Sequence, residues 1–404
     1  MHTIALPLEL DPRHRWLLEQ VAAAAGLAIG QGPVLTPPVE WQLEQAFGML
    51  ARLEELGGAK DGHGRFPASA SSLASGEAPI DELVLQLRDS ARSLGVEPQA
   101  AWEDGARFAV ALTHDIDTPW RWTRRGVLGA GARAKRAVQR GRFREAARET
   151  AGLALAPVHR VRGSDPNWSH ASFAALEARH GFRSTSFVIA QHLDSHDGAA
   201  PAEYAARRAA LVSELGELGE VALHASYTAG SDEGQLAAER AILQGLGARI
   251  EGNRHHYLRL AWHEGIRALD RIGFLYDTTL GYAERPGARA GLSFPFHPWD
   301  VVGGAPLRIV EIPLVLMDAT LAEERYLALS PSEAWPVIER QLDHLARVGG
   351  CAAVLWHNDR FDRVYGRGWD RVYRRLLDGI AERGGTAAPA ADLVRFWMRC
   401  RASS

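Results

Sequence analysis

The chain has 404 residues, 46% of them hydrophobic and 24% charged, with a formal net charge of -3. This is the composition of a globular protein that can bury a sizeable core, long enough for two or three domains or one large α/β barrel. The near-neutral balance gives no global pull toward nucleic acid or acidic membrane surfaces. Its two cysteines, Cys351 and Cys400, lie outside any C-x-x-C pair, which argues against a cysteine zinc site or a disulfide framework.

The first residues lack a basic stretch followed by a long apolar one, and the apolar patch at 21–29 is too short to span a bilayer. A cytoplasmic protein without a membrane span is the expectation. Periodicity predicts helices at 16–25, 41–56 and 79–94, with a Gly/Pro stretch at 30–38. Residues 60–76 are rich in Gly, Ser and Ala and read as a loop or partly disordered linker. No chemistry is visible here. Residues 1–100 are therefore expected to be an N-terminal, mainly helical accessory segment, and 101–404 the main domain.

From residue 108 short apolar runs alternate with amphipathic stretches. Strands are predicted at 108–112, 185–190, 221–223, 309–314 and 352–356, with a shorter one before Asp277. Helices are predicted at 169–180, 202–218, 233–246, 260–272 and 331–348. This alternation argues for a mostly parallel α/β sheet or barrel. The basic segment 121–148 reads as a solvated helical face rather than a nucleic-acid patch. Cys351 lies in an apolar run and is expected to be a small buried hydrophobe.

Several strands end in chemistry. The run 108–112 leads into Thr113-His114-Asp115-Ile116-Asp117. Two carboxylates at the C-terminal end of a buried strand cost solvation energy unless a cation or proton relieves them. They read as a metal ligand beside a general base, or as a helix cap and a surface ion pair. Being two apart, they share a face if extended. Val221-Ala222-Leu223 ends in His224, and Val354-Leu355-Trp356 in His357. Such imidazoles are candidates for metal ligation or proton donation; hydrogen-bonded rim histidines are the alternative. The C-termini of barrel strands converge on one face, which favours a shared site. Asn253-Arg254-His255-His256-Tyr257 adds an Arg able to orient a carboxylate. At most one of His255 and His256 should face that site. A Gly/Pro/aromatic loop spans 281–300. Aromatics near these positions, Tyr227, Tyr257, Trp356 and Tyr282, are the candidates for stacking on a sugar, with plain packing against the rim as the alternative.

In order and spacing these motifs resemble the polysaccharide deacetylase family, also called the NodB-homology domain or carbohydrate esterase family four. Thr113–Asp117 resembles its Thr-Phe-Asp-Asp-Gly motif, 182–188 its second strand, 220–226 the strand into its metal-binding His motif, and Leu355-Trp356-His357 its Leu-x-His motif. The resemblance covers roughly residues 107–398. It implies a distorted (β/α) barrel and a metal-dependent hydrolase that removes an N-acetyl group from an amino sugar or glycan precursor. It also implies a divalent cofactor, zinc first, and a carbohydrate as the partner, with no nucleic acid. Asp115 would be the base and Asp117 and His224 metal ligands. Arg254 would steer the base, and Asp277 would support His357 as the acid.

The sequence departs from the family pattern at three points. Ile116 stands where the second Asp is expected, and Thr228 where the second metal-binding His is expected. His256 replaces the usual Pro and is the candidate third ligand. The segment His192-Leu193-Asp194-Ser195-His196, with Asp197 beside it, is a rival metal site on the wrong strand, read as a rim loop. The missing His also leaves room for a catalytically inactive barrel that binds a carbohydrate or protein, or for an amidohydrolase acting on a non-sugar amide. Oligomeric state is not encoded legibly.

Overall fold

The computed structural model of the chain describes residues 3–73, 77–99, 102–162, 164–198, 201–362 and 365–402. Apolar runs buried on both faces form a parallel sheet, as expected for strands covered by helices. Its strands are β1 (Ala109–Ile116), β2 (Thr185–Ile189), β3 (Glu220–Ala225), β4 (Gly252–His255), β5 (Tyr276–Asp277), β6 (Val310–Glu311), β7 (Leu314–Met317), β8 (Cys351–Leu355) and β9 (Thr386–Ala388). They pair in the order β6-β5-β4-β3-β2-β1-β8-β7. β9 pairs with the first half of β1, at 109–111, while β2 pairs with its second half, at 113–116.

The predicted strand at 309–314 breaks instead into β6 and β7. Only Ile312 and Pro313 separate them, although they occupy opposite ends of the pairing order. The stretch 310–317 is thus one bent strand. Ile312 N–H donates to the Asp277 carbonyl (2.9 Å), and Ala353 N–H donates to the Pro313 carbonyl (2.8 Å). Pro313 has no N–H to pair and sits where the ladder changes partner. The chain itself joins the two ends of the curled, half-barrel sheet.

Crossover helices lie outside the sheet. Local signals explain their ends: for the helix Pro331–Val348, Ser330 and Glu333 form a reciprocal capping box, Pro331 takes the first position, and Gly349 ends it with a left-handed φ of 72°. The crossover after β1 instead carries two long helices, Arg124–Gln139 and Phe143–Arg162, which pack on each other. Among the described residues no helix is long and apolar enough to cross a membrane.

The N-terminal segment supplies helices Pro12–Ala25, Leu43–Leu50 and Pro79–Ser93 and a short parallel pair, Thr3–Ala5 with Ala28–Val34. Trp16 and Phe47 pack on Trp299, with ring centroids 5.4 and 5.8 Å away, and Trp16 Nε1 donates to the His297 carbonyl (3.0 Å). One hydrophobic core runs through the segment and the barrel. The expected linker at 60–76 is corrected over 60–73: Phe66 is buried, and Asp61 holds Arg65 through three hydrogen bonds or ion-pair contacts of 2.7–3.0 Å. Residues 74–76 lie outside the described residues. The loop at 281–300 is likewise mostly packing, with Leu292, Phe294 and Phe296 fully buried.

Candidate metal centre and active site

β1 runs further than its apolar residues alone suggested, so Asp115 lies within the strand and Asp117 just past it. Their alternation puts both on the barrel interior. Asp115 Oδ2 is 3.5 Å and Asp117 Oδ1 3.1 Å from His224 Nε2, at the end of β3. Asp117 Oδ2 is 3.4 Å from His256 Nε2, just after β4, and 3.6 Å from His357 Nε2, just after β8. Four strand ends therefore meet at one carboxylate.

Each histidine is oriented from behind. His224 Nδ1 is 2.9 Å from the Arg254 carbonyl, which can only accept, so in the neutral ring Nδ1 carries the proton and Nε2 keeps its lone pair. His256 Nδ1 donates to Asp197 Oδ1 (3.0 Å), itself fixed by the backbone N–H of Tyr227 (2.8 Å). Carboxylate and carbonyl partners of this kind set the tautomer of metal-binding histidines. His224 Nε2 and Asp117 Oδ1 are buried without a hydrogen-bond partner, an expensive arrangement that a cation would relieve. Among the described residues, Asp117, His224 and His256 are the one group whose ligand atoms all lie within 4.8 Å of one another. The donor set, one carboxylate and two imidazoles with room for a further ligand, fits a catalytic divalent site.

The group's own charges act strongly on one another. Burial pushes the Asp117 carboxyl up, but His256 and His224 outweigh it and hold the group well below the usual carboxylate range. Burial lowers His256, while Asp117 and Asp197 raise it further, to about 9.

Arg254 is fully buried on β4. Its Nη1 donates to Asp115 Oδ1 (2.9 Å) and Thr113 Oγ1 (2.8 Å), and its guanidinium lies 4.4 Å from the Phe187 ring centroid. Asp115 is thereby held with one oxygen on the arginine and the other toward His224.

The expected support of His357 by Asp277 is corrected. Asp277 faces Asn253 Nδ2 (2.7 Å) and the Thr279 N–H and hydroxyl (2.8 and 2.9 Å), inside the barrel wall. The partner of His357 is Asp318, directly after β7: His357 Nδ1 is 2.6 Å from Asp318 Oδ1, and Arg360 Nε donates to Asp318 Oδ2 (3.0 Å). Burial lowers His357, but Asp318 raises it more, to about 10. In return burial raises Asp318, and His357 and Arg360 bring it down to about 2.

Of the paired histidines, His256 faces the site, whereas His255 is buried beside Asn253 Nδ2 (2.9 Å). Thr228, at the expected ligand position, lies with its hydroxyl 3.2 Å from that of Ser226, in a network anchored by Glu239. The rival segment does not assemble a site. His196 pairs with Asp194 (2.5 Å) and stacks on Tyr227, His192 packs on Tyr204, and Asp197 serves His256.

The ligand group opens into a cavity of about 230 Å³ lined by Asp115, Asp117, His256, Tyr257, Tyr326, His357, Asn358 and three arginines, Arg65, Arg325 and Arg360. Tyr257 is in its wall, and Tyr227 stands behind the lining residue His196. Two expected substrate contacts are corrected. Trp356 is fully buried against Trp369 and Tyr373, because its strand neighbour His357 takes the inward direction. Tyr282 is buried with its hydroxyl donating to Ser71 Oγ (2.6 Å), tying down the N-terminal segment.

Sequence reasoning missed Asp318 and Arg65, and assigned Asp197 to the rival metal site rather than to the support of His256. Asp318 carried a usable signal, since Leu314–Met317 is another apolar run ending in a carboxylate. Arg65 carried none.

No family model matches the sequence, and no curated protein matches it. Two solved structures are similar. A Mycobacterium smegmatis chain, provisionally described as a polysaccharide deacetylase, is 18% identical, with 74% of this chain and 92% of that one covered and a TM-score of 0.48. A Pseudomonas aeruginosa PAO1 chain with a like description is 15% identical, with 75% and 95% covered and a TM-score of 0.49.

Proposed function

We propose that the chain is a divalent-metal-dependent hydrolase that removes an N-acyl group, acetyl first, from an amino sugar or glycan precursor. One observation carries the reading. Asp117, His224 and His256 form a largely buried ligand group with an orphaned imidazole nitrogen, beside the Asp115–Arg254 and His357–Asp318 pairs. A pure binding module needs neither a base nor an acid. The inactive alternative drew on the missing second histidine, and His256 supplies that donor from the neighbouring strand.

A bound zinc-type ion would polarise the acyl carbonyl and make water a better nucleophile. Asp115 takes the proton of the attacking water, its other oxygen held by Arg254 so that only one is free to act. His357 delivers a proton to the departing amine nitrogen from the adjoining strand end, Asp318 keeping its ring in the donating orientation. Tyr257 and Tyr326 line the cavity and are the candidates to pack against a sugar.

The test is metal content after purification without chelator, for the wild type and for Asp117→Ala, His224→Ala and His256→Ala, followed by acetate release from N-acetylated amino sugars and from non-sugar amides. Near-stoichiometric metal in the wild type and its loss in all three variants is expected. Retention by His256→Ala would remove this residue from the ligand set. No bound metal even in excess zinc would overturn the reading.

A further inference from the structure

We propose that the helical hairpin after β1 is a docking surface for an anionic lipid bilayer. Residues 121–162 contain twelve Lys or Arg and two Asp or Glu, a net +10 in a chain of -3, leaving -13 on the remainder. The near-neutral total conceals one strongly basic projection on an acidic body.

The same projection exposes apolar side chains. Six of the sixteen large hydrophobic residues exposed among the described residues lie on these two helices, with Leu128 at 76%, Phe143 at 70% and Val161 at 89%. On the second helix Phe143, Ala147, Ala151, Ala154, Val158 and Val161 are all exposed and recur at intervals of three or four, which places them on one stripe. The hairpin's inner side is already satisfied by a small core of Trp122, Ala130 and Ala156, so the outer stripe is not needed for folding.

An apolar stripe beside concentrated positive charge fits a bilayer surface, where side chains enter the acyl boundary and cations meet anionic headgroups. A merely solvated face would not carry the stripe. A nucleic acid would leave its aliphatic residues unused. A second copy of the chain, docked hairpin to hairpin, would set +10 against +10.

The position also fits. Arg125 donates to the carbonyl of Gly198 (2.8 Å), a cavity-lining residue, and Arg140 and Arg142 both pair with Glu324, between the lining residues Glu323 and Arg325. The hairpin thus lies along the rim of the cavity. A bilayer held there would bring a lipid-linked substrate beside the mouth, although the docking itself does not depend on the proposed chemistry.

The test is flotation of the full chain with vesicles of phosphatidylcholine alone and of equal parts phosphatidylcholine and phosphatidylglycerol, at low and raised salt. Binding to the anionic vesicles at least about tenfold tighter, weakened by salt, is expected. Phe143→Ser with Val161→Ser should reduce it about tenfold, and Lys135→Glu with Arg136→Glu should remove the lipid preference. Folding of the variants is checked by circular dichroism; if one fails to fold, the wild-type lipid preference and salt dependence decide. Equal partition into both vesicles, no binding, or binding untouched by folded variants would overturn the proposal. So would capture of a DNA duplex, or self-association lost in the variants, without vesicle binding.

Discussion

His357 owes its proton to Asp318. Burial alone would strip that proton, and the carboxylate 2.6 Å away reverses the sign, raising the imidazole to about 10. A group raised from its ordinary 6.5 contributes stability that is complete below that value and is lost as pH rises through about 10. In the proposed mechanism the same pairing keeps His357, as the acid, protonated across neutrality. Asp318→Asn should therefore move the alkaline limb of the pH–rate profile to lower pH and cut kcat near neutrality by about 10²–10⁴. Asp277→Asn should leave that limb in place, since Asp277 bonds to Asn253 and Thr279. An unmoved limb in Asp318→Asn would remove His357 as the acid. Asp115, Asp117, His224, His256 and His357 were legible because each stands in the last residues of a strand or just past it. Asp318 was missed despite its signal, because the bend at Pro313 carries the strand on to Met317, past the end expected at 314.

The loop at 60–73 shows how an element can matter without periodicity. Arg65, locked by Asp61, donates from Nη1 to the Tyr257 carbonyl (2.9 Å). Tyr257 and Leu258 have φ of 62° and 54°, a left-handed pair that non-glycine residues adopt at a cost. This turn directly follows His256, so Arg65 holds the backbone that aims a candidate metal ligand. Arg65→Ala should weaken zinc affinity about 10- to 100-fold in a chelator-competition titration, with the helical content unchanged. Unchanged affinity would restrict Arg65 to the cavity wall. Low apolar content made this loop look like a linker. Its structure comes from hydrogen bonds, which leave no repeating pattern in sequence.

At the scale of the whole molecule the N-terminal segment and barrel share a core, although sequence suggested an appendage. The three helices were readable from periodicity, but their docking was not, since Trp16 meets Trp299 across more than 280 residues. Trp16→Ala should destabilise the whole chain by about 3–5 kcal/mol, with one unfolding transition in denaturant followed by circular dichroism. Two separate transitions would mean that the segment folds apart from the barrel.

The bent strand at 310–317 has a further consequence. An open parallel sheet ends in two rows of unpaired backbone groups, which are templates for another chain to add to. Here the terminal positions of the pairing order belong to one continuous stretch. The long loop after β5 covers what remains: Phe296 exchanges hydrogen bonds with Glu311 (3.1 and 2.9 Å), and Gly287 N–H donates to the Val315 carbonyl (2.8 Å). The Gly/Pro/aromatic loop that resembled a sugar platform thus guards the barrel against strand addition. Loosening it should show first as aggregation on storage, before any loss of turnover.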